Sequence, residues 1–361
     1  MTLTTDCTSC ADERTAGASF CEVCGRRLTE TAEPSSARED CSHCGAVGAV
    51  DDDGYCEECG MQAGRSRDHL EADGGATGAA VSDRGRRHHR NEDAMWLAVG
   101  ADAADVVVSD GVSASFDPDA ASDIAVRAAG ELLAAARHPD EQPAPNPDET
   151  VDLERPQGAV GLAGAVAHAI AGAAAAVASL AHTGDPRRAA ANPACTIVAA
   201  AVRGPHVGYG WVGDSRIYWL GPDGPAEQLT EDDSWAAHVI ALGADPVTAM
   251  NDPKAHAITA WLGADAGPVA PRVRSFTATE PGHLILCSDG LWNYLPDPAE
   301  FGAVIREALA AAPGPLDAAR ALVAYANAAG GGDNITVALV PVHPVTETEP
   351  KTTELSTTSE D

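Results

Sequence analysis

Residues 106–111 read VVVSDG, and residues 284–290 read LILCSDG. Each runs an apolar, β-prone segment straight into Ser-Asp-Gly. A carboxylate beside a glycine at a strand end is ordinarily just a turn. Two of them in one chain pose a choice: a repeated turn, or a pair of ligands aimed at one point.

Working outward, more acidic residues stand at glycine-marked turns. These are Gly213-Asp214-Ser215-Arg216 and Gly332-Asp333-Asn334-Ile335-Thr336, with Arg90-Asn91-Glu92-Asp93-Ala94 just before a strand-like run. Any one alone reads as a turn. Five in one region, each adjoining an apolar strand, favour the ligand reading, because gathered carboxylates repel one another unless cations intervene. With no His or Cys in the set the donors are all oxygen, which suits hard cations such as Mg2+ and Mn2+.

The chain has 361 residues and a formal net charge of −31. That length fits one large domain plus a small one, and the charge opposes general affinity for nucleic acid or anionic membrane. The start, MTLTTDCTSC, lacks the basic and apolar regions of a signal peptide. The Ala/Gly-rich stretch 158–182 is long enough to cross a membrane, but its composition reads as a buried core helix. A cytoplasmic protein with reduced cysteines is the expectation.

Eight of the ten cysteines form four Cys-x-x-Cys pairs: Cys7/Cys10, Cys21/Cys24, Cys41/Cys44 and Cys56/Cys59. Such knuckles suit structural zinc, two pairs per ion. Taken in order they predict a double zinc ribbon over residues 1–60 with two structural Zn2+. This segment carries four Arg against thirteen Asp and Glu, so protein docking or a purely structural role is preferred to nucleic-acid binding. Cys195 and Cys287 fall in strand-like runs and read as buried apolar residues. Residues 61–78 read as a linker, 79–342 as the large domain, and 343–361 as a disordered acidic tail.

In the large domain, strand-like runs at 95–99, 106–109, 195–202, 207–213, 215–220, 283–288 and 335–342 follow one another with short turns, which indicates antiparallel sheets. Helices are expected from Asp117, as N-cap with Pro118 at the first helical position, to about residue 138, and over 159–180, 300–312 and 316–329. The class is α+β, with helices layered on sheets.

Taken in order, RNEDA, VVVSDG, CTIV, VGDSR, LTEDDS, ITAWLG, CSDGLW and GGGDNITV resemble the metal-dependent Ser/Thr phosphatases of the protein-phosphatase-2C-like (PPM) family. The resemblance runs from Val81 to Val342. It implies an α-β-β-α sandwich with a binuclear Mn2+ or Mg2+ centre at one end. By the same resemblance Asp110 bridges both ions, Gly111 offers its carbonyl, and Glu92 serves one ion. Asp289 and Asp333 serve the other, and Asp214 is associated with a third. Asp93 is expected to support the ligands, and Asn334 to fix its loop. The implied reaction is in-line attack on phosphoserine or phosphothreonine by a water that the metal pair acidifies, and the implied partners are phosphorylated proteins.

Three positions depart from the family pattern. His88 stands where an Arg commonly holds the substrate phosphate, within a basic run, RGRRHHR. Here His88, Arg87 and Arg90 are expected to attract the phosphate. Val112-Ser113-Ala114 follows Gly111 where bacterial relatives have Gly-Gly-His, and Asp233 stands where His is common. Trp235 and Trp261 fall in the variable flap beside the site. A catalytically impaired phosphoprotein-binding scaffold, with the zinc ribbons docking a partner, is the alternative reading.

Overall fold

The computed structural model describes residues 41, 46–51, 55–60, 64–137, 158–267 and 269–344. The chain divides into two compact units, Met1–Gly64 and Arg65–Asp361. Of the first, the described residues form a small cluster in which Cys41, Ala49, Val50 and Cys56 are buried.

The second unit begins with β1 (His69–Asp73), β2 (Ala79–Asp83), β3 (Ala94–Gly100) and β4 (Ala103–Ser109). Helices α1 (Pro118–Arg137), α2 (Ala159–Leu180) and α3 (Arg187–Ala190) follow. Then come β5 (Ala194–Cys195), β6 (Ile197–Arg203), β7 (His206–Val212), β8 (Arg216–Leu220) and β9 (Glu227–Gln228). Next are α4 (Trp235–Ala241), α5 (Pro246–Met250), β10 (Leu262–Gly263), β11 (Arg272–Thr277) and β12 (Gly282–Cys287). The last are α6 (Asp289–Trp292), α7 (Pro298–Ala311), α8 (Pro315–Ala329) and β13 (Ile335–Val342).

Two antiparallel sheets result. One has the order β1-β2-β13-β12-β8-β9, the other β11-β7-β6-β4-β3, and β5 pairs with β10 as a short ribbon. Val106, Val108, Val198, Leu284, Leu286 and Val340 pack in the core shared by strands of both sheets. Val107, Ile197 and Ala199 turn the other way, onto α1 and α2. Tyr218, Ile285, Val337 and Leu339 pack with α7 and α8. This is the expected α-β-β-α arrangement. It explains why VVV is an unbroken apolar run: a strand covered on both faces has no solvent side to alternate with. Val106, Val107 and Val108 have no accessible surface.

The stretch with membrane-like composition is α2, and Val166, Ala169, Ile170, Ala173 and Val177 bury one of its faces against the five-stranded sheet. The segment expected as linker differs. Residues 65–78 contain β1 and two short 3-10 turns, and β1 pairs with β2 in the register His69↔Asp83 to Asp73↔Ala79. Backbone pairing at a sheet edge needs no apolar signature, and β1 alternates only between exposed and half-buried. Helix α1 starts at Pro118 as expected, but Asp117 adopts a φ of 53° and its carboxylate accepts from Arg188 Nε at 2.9 Å. Strand β11 was not legible, because RVRSFT alternates polar and apolar residues weakly. Of the expected tail, residues 345–361 lie outside the described residues.

Candidate metal centre

The two Ser-Asp-Gly turns sit at the ends of β4 and β12, one in each sheet. In the first, Ser109 Oγ donates to Thr196 O at 2.6 Å, and Thr196 N donates to Asp110 O at 2.8 Å. A Cβ on Gly111 would lie 2.7 Å from both Glu92 O and Pro118 O. In the second, Ser288 Oγ donates to Asp93 Oδ2 at 2.7 Å, and a Cβ on Gly290 would lie 1.9 Å from Asn334 O. The repeated motif thus has one physical logic. Each serine ties its strand end to a neighbour, and each glycine lets a second acidic loop approach at backbone distance.

The carboxylates converge. Burial and the charges of Asp93, Asp289, Asp214 and Asp333 together hold the Asp110 carboxyl well above the usual range. Asp289 is raised likewise by burial and by Asp333, Asp214 and Asp93, with Asn293 Nδ2 donating to it at 3.0 Å in partial compensation. Burial, reinforced by Asp232, pushes Asp214 up to about 7. Asp93 is pushed up to about 6 by burial, which outweighs hydrogen bonds from the Thr336 and Ser288 hydroxyls. Asp93 Oδ1 and Asp289 Oδ1 are buried with no hydrogen-bond donor. Among the described residues, no Arg or Lys forms an ion pair with Asp110, Asp214 or Asp289. Asp110 and Asp289 nonetheless retain accessible surface, so the cluster is reachable from solvent. A set of oxygen donors that repel one another in a buried setting, with orphaned oxygens and no Arg or Lys partner for three of them, fits hard divalent cations.

Asp93 acts as a clamp. Its Oδ2 accepts from both Ser288 on the β12 turn and Thr336 on β13, while Thr336 also pairs with Ser82 at 2.7 Å, and Asn91 Nδ2 donates to Ser82 at 2.9 Å. Ser82 is not marked in the sequence and Thr336 stands there only as the end of the GDNIT turn, since hydroxyls inside apolar strands carry no local signal. Asn334 fixes its loop, as expected. Its Nδ2 donates to Arg84 O and Arg90 O at 2.8 and 3.0 Å, and its Oδ1 accepts from Glu92 N at 2.7 Å. One side chain therefore closes both ends of the RGRRHHR loop and holds the Glu92 backbone against the loop that carries Asp333.

Within that loop His88 Nε2 lies 3.1 Å from Asp333 Oδ1. Arg90 is paired with Asp119 at 3.2 Å, and Arg87 is exposed. The departure after Gly111 places Ser113 Oγ 2.7 Å from Glu92 Oε2. Asp233 has a definite role: its Oδ2 accepts from Gly213 N at 2.9 Å and its Oδ1 from Arg272 Nη2 at 2.5 Å, pinning the turn that carries Asp214. Beside it, buried Arg216 forms a two-pronged pair with Asp232 at 2.9 and 2.7 Å, lies 3.5 Å over the Trp292 ring, and donates to Tyr218 Oη at 3.0 Å. Trp292 Nε1 in turn donates to the Asp214 carbonyl at 3.1 Å. Trp235 and Trp261 are both half-buried; Trp235 packs with Ala236, Ala249 and Ala255, and Trp261 Nε1 donates to Asp265.

In the first unit the sulfurs of Cys41, Cys56 and Cys59 lie within 4.8 Å of one another, with Cys41 and Cys59 3.8 Å apart. Zn–S bonds of about 2.3 Å in a tetrahedron give an S···S edge of about 3.8 Å, so this spacing fits a zinc site. Cys44, Cys7, Cys10, Cys21 and Cys24 lie outside the described residues. Cys195 and Cys287 are fully buried, and burial pushes the Cys195 thiol up to about 12.

Residues 83–324 match the family model described as protein phosphatase 2C. The serine/threonine phosphatase stp of Listeria innocua is 35% identical over 147 residues, covering 40% of this chain and 55% of that protein. The chain therefore spans about half the length of this relative. The structure of the Mycobacterium tuberculosis serine/threonine phosphatase PstP/Ppp superposes with a TM-score of 0.54 at 27% identity, covering 74% of this chain and 98% of that one. The catalytic domain of the serine threonine protein phosphatase PstP, in complex with two manganese ions, gives 0.50 at 26% identity, with 73% and 97% covered.

Proposed function

Because the chain belongs to the protein phosphatase 2C family, we propose that it is a metal-dependent phosphatase acting on phosphoserine and phosphothreonine in proteins. The observation that supports this most directly is the mutual repulsion of Asp110, Asp289, Asp333 and Asp214, with no Arg or Lys among the described residues paired to Asp110, Asp214 or Asp289. Asp110, the Gly111 carbonyl and Glu92 would hold one Mn2+ or Mg2+, and Asp289 and Asp333 the second, with Asp110 shared; Asp214 would serve a third. When bound, such ions supply charge compensation for the phosphoryl group and acidify a water.

The chain's own residues supply the rest. Asp93 and Asn334 hold the ligand loops in register, so the carboxylates meet a metal without reorganising. His88 lies in the loop bordering the cluster and is the group we assign to orient the substrate phosphate, with the exposed Arg87 adding positive charge on the same loop. Arg90, held by Asp119, shapes the loop. His88, steadied by Asp333, is placed to pass a proton to the departing serine or threonine oxygen.

The amino-terminal thiol pairs are proposed to hold two structural Zn2+ in a double ribbon that docks a protein partner, and the location is proposed to be cytoplasmic. The direct test compares phosphopeptide hydrolysis in Mn2+ by wild type, Asp110→Ala and Asp289→Ala. Loss of at least about a hundredfold in both variants is expected, given the weight of such electrostatic groups. An inactive wild type, or full activity in both variants, refutes the reading.

A further inference from the structure

We infer that the loop at residues 84–90 selects phosphopeptides whose phosphorylated residue is flanked by acidic side chains. This rests on the phosphatase reading of the adjoining carboxylate cluster. In a chain of net charge −31, the run RGRRHHR places four arginines and two histidines in seven residues. The structure divides these basic side chains into two groups. Arg84 is paired with Asp68 at 3.7 Å, Arg90 with Asp119 at 3.2 Å, and His88 with Asp333 at 3.1 Å. Arg86, Arg87 and His89 are exposed and form no ion pair among the described residues. The first group is anchored by the protein's own carboxylates; the second is available to residues flanking the phosphate.

The loop's position decides which ligand. Asn334 Nδ2 ties its two ends together through Arg84 O and Arg90 O, and Arg86 N donates to Gly331 O at 2.9 Å. The available basic groups are therefore displayed on a pinned loop, which is hydrogen-bonded through Arg86 to the turn two residues before Asp333 and ends two residues before Glu92. An extended peptide advances about 3.3 Å per residue. A phosphoresidue seated at the carboxylate cluster thus brings its neighbours, a few positions to either side, alongside Arg86 and Arg87. Acidic neighbours would be attracted and basic ones repelled. A long polyanion such as nucleic acid fits less well, because its backbone would continue over the remaining negative surface.

Exposed ion pairs are individually weak, and two or three acting together change specificity by roughly tenfold. The test uses the full chain with Mn2+ and three phosphothreonine peptides of equal length, flanked by Glu, Ser or Lys. Hydrolysis gives kcat/KM, and fluorescence anisotropy of labelled peptides gives Kd. The Glu-flanked peptide is expected to exceed the Lys-flanked one by roughly tenfold in both quantities at low salt, with the ratio shrinking at about 0.3 M NaCl. In Arg86→Glu/Arg87→Glu the ratio should vanish or invert; being a ratio, it is insensitive to a general loss of activity. Equal kcat/KM and Kd for all flanks in the wild type would overturn the inference. So would an unchanged ratio in the double variant, or a single-stranded 20-base DNA that displaces all three peptides equally. Flank-ordered Kd values without turnover would sink the phosphatase reading while supporting this inference; turnover without flank preference would do the reverse.

Discussion

Replacing Gly290 with Ala isolates the geometric claim on which the metal centre depends. The new Cβ would stand 1.9 Å from the Asn334 carbonyl oxygen and 2.8 Å from its carbon, both backbone atoms with no flexible end to swing aside. The β12 turn and the loop before β13 would have to part by roughly 1 Å or more, separating Asp289 from Asp333. Forcing atoms into a packed interior costs about 1–3 kcal/mol, and a shift of about 1 Å in a catalytic constellation can cost about a hundredfold in rate. Gly164→Ala is the matched control, since it sits in α2 with nothing within 4 Å of the added carbon and should stabilise by about 0.5–1 kcal/mol. Urea denaturation gives the stability difference, and phosphopeptide hydrolysis titrated with Mn2+ gives rate and metal affinity. Gly290→Ala should lose about 1–3 kcal/mol, require much more Mn2+, and lose about a hundredfold in kcat/KM. A Gly290→Ala protein with wild-type stability and Mn2+ response would refute the argument that close approach of these two turns builds the site.

Removing Arg216 leaves Asp232 half-buried and unpaired, so Arg216→Ala should cost about 3–5 kcal/mol, and Arg216→Ala/Asp232→Ala less than the sum of the single changes; denaturant melts of the four proteins measure the coupling. Burial pushes Asp93 up to about 6 and Asp214 up to about 7, against about 3.9 when unfolded, so the metal-free folded state should bind more protons than the unfolded chain. Their ionisation therefore lowers stability as pH rises from about 4 to 7. Asp93→Asn should flatten that decline in Tm, and Mn2+ should oppose it. Elemental analysis should find about two tightly held Zn per chain, released by a thiol-reactive mercurial with loss of structure in the first unit only, since the thiols, not the carboxylates, suit zinc.

Much of this fold is legible in local text. Val106–Val108 are apolar, β-branched and continuous, and that pattern fits a strand covered on both faces wherever it occurs. Pro118, Pro298 and Pro315 begin helices because a proline at the first turn gives up no hydrogen bond. Strand β1 escaped because edge pairing is a matter of backbone and leaves polar side chains unconstrained. The acidic residues were visible as glycine-marked turns, yet nothing local distinguishes Asp93, a clamp on two hydroxyls, from Glu92, which faces Ser113.

The sequence by itself determined the backbone conformation of the main strands and helices, the all-oxygen character of the candidate donors, and the sulfur character of the amino-terminal pairs. These are properties of a residue and its near neighbours. Tertiary structure decided which turns share one end of the sandwich, that Asn334 closes the basic loop from more than 240 positions away, and that Arg272 and Arg216 engage Asp233 and Asp232. Those relations come from strand order and sheet packing, where long-range pairing brings together residues whose local surroundings carry no record of each other.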